Sequence, residues 1–198
     1  LPTNNPSAFT TTSHGRDSTY VRAASKSANR ADVLIGMPCR RIRSFANAFD
    51  ASIRAAPGAT IAAIHNKAAD VIKAGLLGLG LITDATGNQY RMWFTHGACH
   101  YIGLDVHDVG DRSKPLVPGM SFVIEPGLYI RQSALDALPR TPENLALIAR
   151  VQPAVTRYLD IGVRIEDSFL VESTGLRRLS VTVPRTVTEI EAFMARRP

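Results

Sequence analysis

Seventeen consecutive residues, "THGACHYIGLDVHDVGD" (95–111), constrain the fold most strongly, because they hold three of the chain's five histidines among three glycines. His96 and His100 have the four-residue spacing of one helix face. Gly97 and Gly103 disfavour a stable helix in the same segment. We therefore expect this stretch to fold without a helix.

Helical patterns precede this segment. In "SFANAFDASIRAAPG" (44–58) three apolar residues recur every four positions, which predicts a helix that ends at Pro57-Gly58. A second helix is predicted after it, with Thr60 as N-cap and a glycine-rich end in "GLLGLGLITD". Its expected apolar face consists of Ile61, Ile64, Ala68, Val71 and Ile72.

Mixed patterns follow the histidines. "PGMSFVIEPGLYI" predicts a turn, a short buried strand and another turn, and Thr141-Pro142-Glu143 predicts the start of a helix over 141–158. "IGVRIEDSFLVES" predicts one strand with Arg164 and Glu166 on a shared face, paired with "LRRLSVTV" as a hairpin. Thr186-x-x-Glu189 predicts a capping box that opens a last helix, with Ile190, Phe193 and Met194 facing inward. Because no βαβ rhythm links these elements, the expected fold class is α+β.

Charge and composition exclude several classes of partner. Residues 1–43 carry seven Lys/Arg and two Asp, so five of the chain's six net positive charges lie in this Ser/Thr/Asn/Arg-rich stretch. We expect residues 1–40 to be an irregular basic leader and expect no nucleic-acid partner. No run of 18 apolar residues predicts a membrane span. Two cysteines, Cys39 and Cys99, make no disulfide framework, which favours a reducing compartment and a cytoplasmic protein.

Two glutamates lie where a lone carboxylate would be costly to bury. Glu125 ends the apolar run "SFVIE", and Glu166 has apolar neighbours in its predicted strand. Each has an ordinary explanation, since Glu125 could end a strand and Glu166 could pair with Arg164. Together with a histidine they form an oxygen-rich donor set that suits a hard or borderline divalent ion such as manganese.

Other site chemistries are less well supported. Cys99 adjoins His100 and there is no second cysteine pair, so a zinc finger is excluded. There is no Gly-x-Ser-x-Gly elbow for a serine hydrolase. A Cys-His nucleophile pair that uses Cys99 stays open, although nothing marks an oxyanion hole.

Three blocks in order carry a family resemblance: "HGACHYIGLDVHDVG", "LVPGMSFVIEPGLYI" and "IGVRIEDSFLVESTGLRRLS". They resemble the second half of the pita-bread metallopeptidases, with the Xaa-Pro aminopeptidases nearest and the prolidases next. The resemblance covers about residues 41–198. It implies a partial pita-bread domain there, a curved antiparallel sheet with helices on its outer face, whose N-terminal half is expected to be missing.

The resemblance also implies a site and a reaction. His100, Glu125 and Glu166 would be metal ligands, and Arg164 would orient a metal-bound carboxylate from behind. His96 would lie beside the substrate, and His107 would stabilise the reaction intermediate and move a proton. The implied cofactors are two divalent ions, manganese first and cobalt or zinc as alternatives. The implied substrates are peptides with proline in second position.

The family pattern breaks upstream, where two further aspartate ligands are expected on a hairpin. None of the upstream aspartates has the required pattern: Asp17, Asp32, Asp50, Asp70 and Asp84. We therefore expect reduced metal occupancy and impaired catalysis. The favoured explanation is that residues 1–40 do not represent the natural sequence of this region, because of a fragment or a frame error. The other is a non-catalytic remnant that binds peptides or a protein partner. A homo-oligomer or a complementing half is the expected partner.

Overall fold

A computed structural model describes residues 58–196 of the chain. The predicted helix at 44–58, the predicted leader and the boundary at residue 41 lie almost wholly outside the described residues. The helices are α1 (Ile61–Leu79), α2 (Gln132–Asp136), α3 (Pro142–Tyr158) and α4 (Val187–Met194), with a single 3-10 turn at Gln89–Met92. The strands are β1 (Cys99–Ile102), β2 (Ser121–Ile124), β3 (Gly127–Tyr129), β4 (Gly162–Arg164), β5 (Asp167–Glu172) and β6 (Gly175–Arg178).

The strands form two antiparallel sheets. One has four strands in the order β1-β2-β5-β6, and the other pairs β3 with β4. The segment 95–111 contains a strand and loops but no helix, as expected from its glycines. Helices and antiparallel strands are mixed without a parallel crossover among the described elements, so the α+β prediction is confirmed.

Helix α1 begins and ends where the sequence predicts. The Thr60 side chain accepts a hydrogen bond from the Ala63 N–H at 3.0 Å, and Gly80 ends the helix with a left-handed φ of 73°. Ile61, Ile64, Ala68 and Ile72 are buried, whereas the predicted Val71 is only half-buried. One face of α1 thus packs into the core that also contains Trp93 and Phe122.

Helix α3 also matches its prediction. Thr141 caps it by accepting from the Asn144 N–H at 3.3 Å, and Pro142 occupies the first turn. Pro153 lies inside the helix, a position that the sequence pattern did not predict. Val151, Val155 and Tyr158 bury the inner face of α3 in the same core as α1.

Three local predictions are wrong. "IGVRIEDSFLVES" is two strands in different sheets, so Glu166 lies in the break between β4 and β5 and not in mid-strand. The turn after Glu125 leads directly into β3, a strand that was not predicted. The capping box of α4 is present, but Phe193 and Met194 are 57% and 73% exposed. Among the described residues, no helix is long and apolar enough to cross a membrane.

Candidate metal centre

The strand register brings Glu125 and Glu166 to one place. Ile124 at the end of β2 pairs with Asp167 at the start of the antiparallel strand β5. Glu125, which follows β2, and Glu166, which precedes β5, therefore lie side by side just beyond the end of the ladder. Both residues are almost fully buried, with 9% and 6% exposure. The break in the predicted strand is what places Glu166 at this end of the sheet.

Burial and like charge act together on Glu166. The pKa of Glu166 is raised above its ordinary value, first by burial and then by the neighbouring Glu125 carboxylate, while Arg164 and His107 oppose the shift. Arg164 ends β4 and is paired with Gly127, and its Nη1 lies 3.7 Å from Oε2 of Glu125. Two neighbouring buried carboxylates with Arg164 beside one of them favour a further cation, in addition to Arg164.

His100 is presented to the carboxylates by the edge strand β1. It pairs with Val123 of β2, and its Nε2 lies 3.4 Å from Oε1 of Glu125. Its Nδ1 is 2.9 Å from the carbonyl oxygen of Tyr101, which can only accept a hydrogen bond. Nδ1 must therefore carry the proton, so in the neutral ring the lone pair of Nε2 is available toward Glu125.

His107 comes from the loop after β1. Its ring centroid is 4.2 Å from that of His100, and His100, His107 and Glu125 offer ligand atoms that all lie within 4.8 Å of one another. The loop is closed by Asp108, whose N–H donates to the Tyr101 carbonyl and whose carboxylate accepts from the Leu104 N–H. A Cβ at Gly103 would clash with the Asp108 carboxylate, so a larger residue there would displace the contact that closes the loop.

His96 belongs to a neighbouring aromatic group and not to the carboxylate cluster. Its Nδ1 donates to the Gly97 carbonyl at 2.8 Å, so its Nε2 accepts from the Tyr129 hydroxyl at 3.1 Å. The Phe94 ring packs edge-on against it at 5.6 Å. His96 also lines a cleft of about 500 Å³ together with His65, Arg91 and Arg112.

Cys99 does not offer a nucleophile. The side chain is 2% exposed, and burial raises the pKa of its thiol to about 12. Cys99 and His100 are neighbours in one strand, so their side chains lie on opposite faces of the sheet. The Cys-His alternative therefore has no support in the structure.

A family comparison agrees with this geometry. The model of metallopeptidase family M24 matches residues 40–173, more than half of the chain. The chain belongs to metallopeptidase family M24. The family consists of metallopeptidases, which are hydrolases, and M24 membership implies divalent metal ions.

Relatives of this M24 chain are named as Xaa-Pro aminopeptidases. The chain is 36% identical over 147 residues to that of Escherichia coli, covering 70% of this chain and 29% of the relative. It is 33% identical over 141 residues to human Xaa-Pro aminopeptidase 3, covering 68% of this chain and 24% of the relative. The M24 chain thus spans less than a third of the length of these relatives.

Solved structures give the fold of the M24 chain. Zinc-substituted E. coli aminopeptidase P in complex with product has a TM-score of 0.62 at 34% identity, over 80% of this chain and 35% of that chain. The same enzyme with the inhibitor Pro-Leu gives 0.62 at 34% identity, over 79% and 34%. The fold is therefore a portion of the pita-bread fold, as the resemblance implied.

Three polar residues near the site were not predicted from the sequence to be functional. Tyr129 follows the "EPG" turn, His65 lies on α1, and Asp167 adjoins Glu166. His65 accepts from the Ala98 N–H through Nδ1 at 3.1 Å, and burial followed by Arg112 and Arg91 lowers its pKa. A histidine next to a buried isoleucine on an amphipathic helix was the available signal for His65. No comparable pattern distinguishes Tyr129 or Asp167 from ordinary strand residues.

Proposed function

We propose that the chain is a metal-dependent domain of Xaa-Pro aminopeptidase type, which hydrolyses the N-terminal peptide bond before a proline. The observation that carries the proposal is the group formed by His100, His107 and Glu125, whose nitrogen and oxygen atoms lie within 4.8 Å of one another. In this group His100 and Glu125 are the proposed ligands, and His107 lies beside them. Glu166 adjoins this group, because it and Glu125 flank the Ile124–Asp167 pair at the end of the β2–β5 ladder. Two buried glutamates and an imidazole with its Nε2 lone pair available are a donor set that fits a divalent ion.

In this proposal His100, Glu125 and Glu166 would hold the ions. When bound, two divalent ions supply a water of lowered pKa and a charge that polarises the scissile carbonyl. The oxygen-rich donor set favours manganese, with cobalt or zinc as alternatives. Arg164 orients Glu125 from behind, a support that typically tunes metal affinity.

The histidines outside the ligand set contact the substrate. His107 is exposed beside His100, where it donates a hydrogen bond to the carbonyl oxygen as that oxygen gains charge, and passes a proton onward. His96 is held by the Gly97 carbonyl and Tyr129, and it faces the cleft that would receive the peptide. A proline in second position is accepted because recognition does not use the amide N–H that proline lacks.

Reduced occupancy and impaired catalysis remain part of the proposal. Asp70 lies on the exposed side of α1, and the carboxylate of Asp84 accepts from the Thr86 and Gly87 N–H groups. Neither belongs to the ligand group of the described residues. A complementing half or a second copy would supply the oxygen ligands. The loop beside β1 presents Leu104 and Val109, which are 103% and 91% exposed, as an apolar surface for such a partner.

The test is hydrolysis of Ala-Pro-Ala by the purified chain with manganese, before and after chelation. We expect slow release of alanine that stops with the chelator, and a further loss of at least about 100-fold in kcat for His107→Ala. Glu172→Gln is the control, since Glu172 lies on the same strand system but pairs with Arg177 at the surface. Metal binding without hydrolysis would favour the non-catalytic binder. Hydrolysis of Ala-Pro but not of the tripeptide would favour a prolidase-like dipeptidase.

Localisation is proposed on chemical grounds. Cys99 is a free, buried thiol, which is compatible with the reducing cytoplasm.

A further inference from the structure

Two consecutive carboxylates at the β4–β5 break face opposite surroundings. Glu166 directly precedes the Ile124–Asp167 pair at the end of the β2–β5 ladder, and Glu125 directly follows it, so Glu166 lies at the candidate metal centre. Asp167 is equally buried at 6% exposure, but its contacts are with Ser180, Arg185 and Arg178. Glu166 directly precedes Asp167 where β5 begins, so contacts that hold Asp167 also restrain the backbone that carries Glu166.

Asp167 is held by charged and polar donors from the last part of the described chain. The Ser180 hydroxyl donates to Oδ1 at 2.6 Å, and Arg185 Nη1 donates to Oδ2 at 2.8 Å. Nη1 of Arg178 lies 3.7 Å from Oδ2 and is buried, with no hydrogen-bond partner among the described residues. Charge-assisted bonds of this kind are shorter and stronger than neutral ones.

The same segment is tied to β5 through the backbone. The Leu179 N–H donates to the Ser168 carbonyl at 2.8 Å, and the Ser168 N–H donates to the Ser180 hydroxyl at 3.3 Å. Arg185 directly precedes the capping box of α4, where its N–H donates to the Glu189 carboxylate at 3.1 Å. The start of β5 is therefore clamped between β2 on one side and the 179–186 segment on the other.

We propose that Asp167 is a positioning residue for the metal centre. Asp167 is the first residue of β5, and its contacts with Ser180 and Arg185 fix the position of the strand there. Glu166 is thereby held opposite Glu125 at the end of the β2–β5 ladder. The segment that leads into α4 then supports metal binding although it contributes no ligand. The inference rests on the proposed function, because it requires Glu166 to be a ligand.

The test compares cobalt binding by Asp167→Asn and Ser180→Ala with that of the unsubstituted full chain. Affinity is measured by calorimetric titration, and the visible cobalt absorption bands report ligand geometry. Removing an outer partner of a ligand typically costs about 10- to 100-fold in metal affinity. We expect a loss in that range for Asp167→Asn, a smaller loss for Ser180→Ala, and altered absorption bands in both. Glu172→Gln, which removes a surface carboxylate from the other end of β5, should change neither.

Unfolding in chelator is measured in parallel, so that lower stability is separated from lower affinity of the folded protein. If Asp167→Asn does not fold, Ser180→Ala carries the test. Unchanged affinity and spectrum in a folded variant would overturn the inference and leave the proposed metal centre intact. Absence of cobalt binding by the unsubstituted chain would overturn both, so the two failures are distinguishable.

Discussion

Glu166 and Asp167 are neighbours in the chain, each 6% exposed, and their surroundings differ sharply. Asp167 has a hydroxyl donor and two guanidinium groups around one carboxylate. Glu166 lies beside a second carboxylate, and its pKa is raised by burial and by Glu125. The comparison teaches that burial of an acid does not by itself indicate function. A cation site is indicated when burial and a second acid raise the pKa of a carboxyl group, and a histidine with an available lone pair lies nearby.

The sharpest test of this difference is the loss of metal affinity in Glu166→Gln. The amide removes one anionic ligand with little change of volume, so we expect a fall in manganese affinity beyond the ~10- to 100-fold typical of outer partners. Calorimetric titration measures it. An affinity within threefold of the unsubstituted chain would remove Glu166 from the ligand set.

Stability without metal should reverse the ranking of the two acids. Asp167→Asn leaves the charges of Arg178 and Arg185 without their carboxylate, and hydrogen bonds to charged groups contribute about 1.5–3 kcal/mol each. We expect the free energy of unfolding to fall by about 3 kcal/mol. For Glu166→Gln we expect no loss, because burial and the Glu125 carboxylate raise the pKa of Glu166 and so disfavour its charged form, which the amide lacks. Urea unfolding in chelator measures both, and equal losses would break the comparison.

The aromatic group around His96 offers a test at the other sheet. A Cβ on Gly127 would lie 2.7 Å from Nε2 of His96 and 2.6 Å from the Tyr129 hydroxyl, and thus break their contact. Overpacking of this kind typically costs about 1–3 kcal/mol, which we expect for Gly127→Ala in a urea titration. Gly119→Ala is an unsuitable control because of its φ of 94°. Gly78→Ala is the control, because it adds the same methyl group where a Cβ meets nothing within 4 Å. A neutral Gly127→Ala would show that His96 is not held by this contact.

The smallest expected effect is on the pH dependence of stability, and it concerns the exposed acid Glu189. Hydrogen bonds from Thr186 and Arg185 lower the pKa of Glu189 from 4.5 to about 2. A lowered folded-state pKa adds stability that is complete above pH 4.5 and is lost as the pH falls toward 2. Glu189→Gln should therefore reduce the slope of stability against pH in that window. Chemical unfolding at several pH values detects it, and an unchanged slope would contradict the cap's role.

Local signals in the sequence predicted much of the fold. Thr60, Thr141 and the Thr186/Glu189 pair are caps that act within one turn, so their helices begin as predicted. The break at Ile165-Glu166 was missed because continuous alternation of side chains looks the same whether one sheet or two receives the strand. The inward assignment of Phe193 and Met194 failed for a related reason, since helix periodicity identifies an apolar face but not what covers it.

The candidate site divides in the same way. His96, His100, His107, Glu125, Glu166 and Arg164 were found through blocks that resemble a family, and the structure brings four of them around Glu125. Their roles remain predictions. Asp167 and Tyr129 act through contacts with residues far along the chain, such as Arg185 and His96. Contacts of that kind arise from strand register, which a single sequence does not specify.

The most direct test of the account is manganese binding by the full chain, followed through the electron paramagnetic resonance signal of the free ion at neutral pH. We expect the signal of the free ion to fall as excess chain is added, and His100→Ala and Glu125→Gln each to restore most of it. Glu172→Gln should behave like the unsubstituted chain. A metal centre at His100, Glu125 and Glu166 would be contradicted if the chain left the free-ion signal unchanged. It would also be contradicted if all four proteins bound manganese equally.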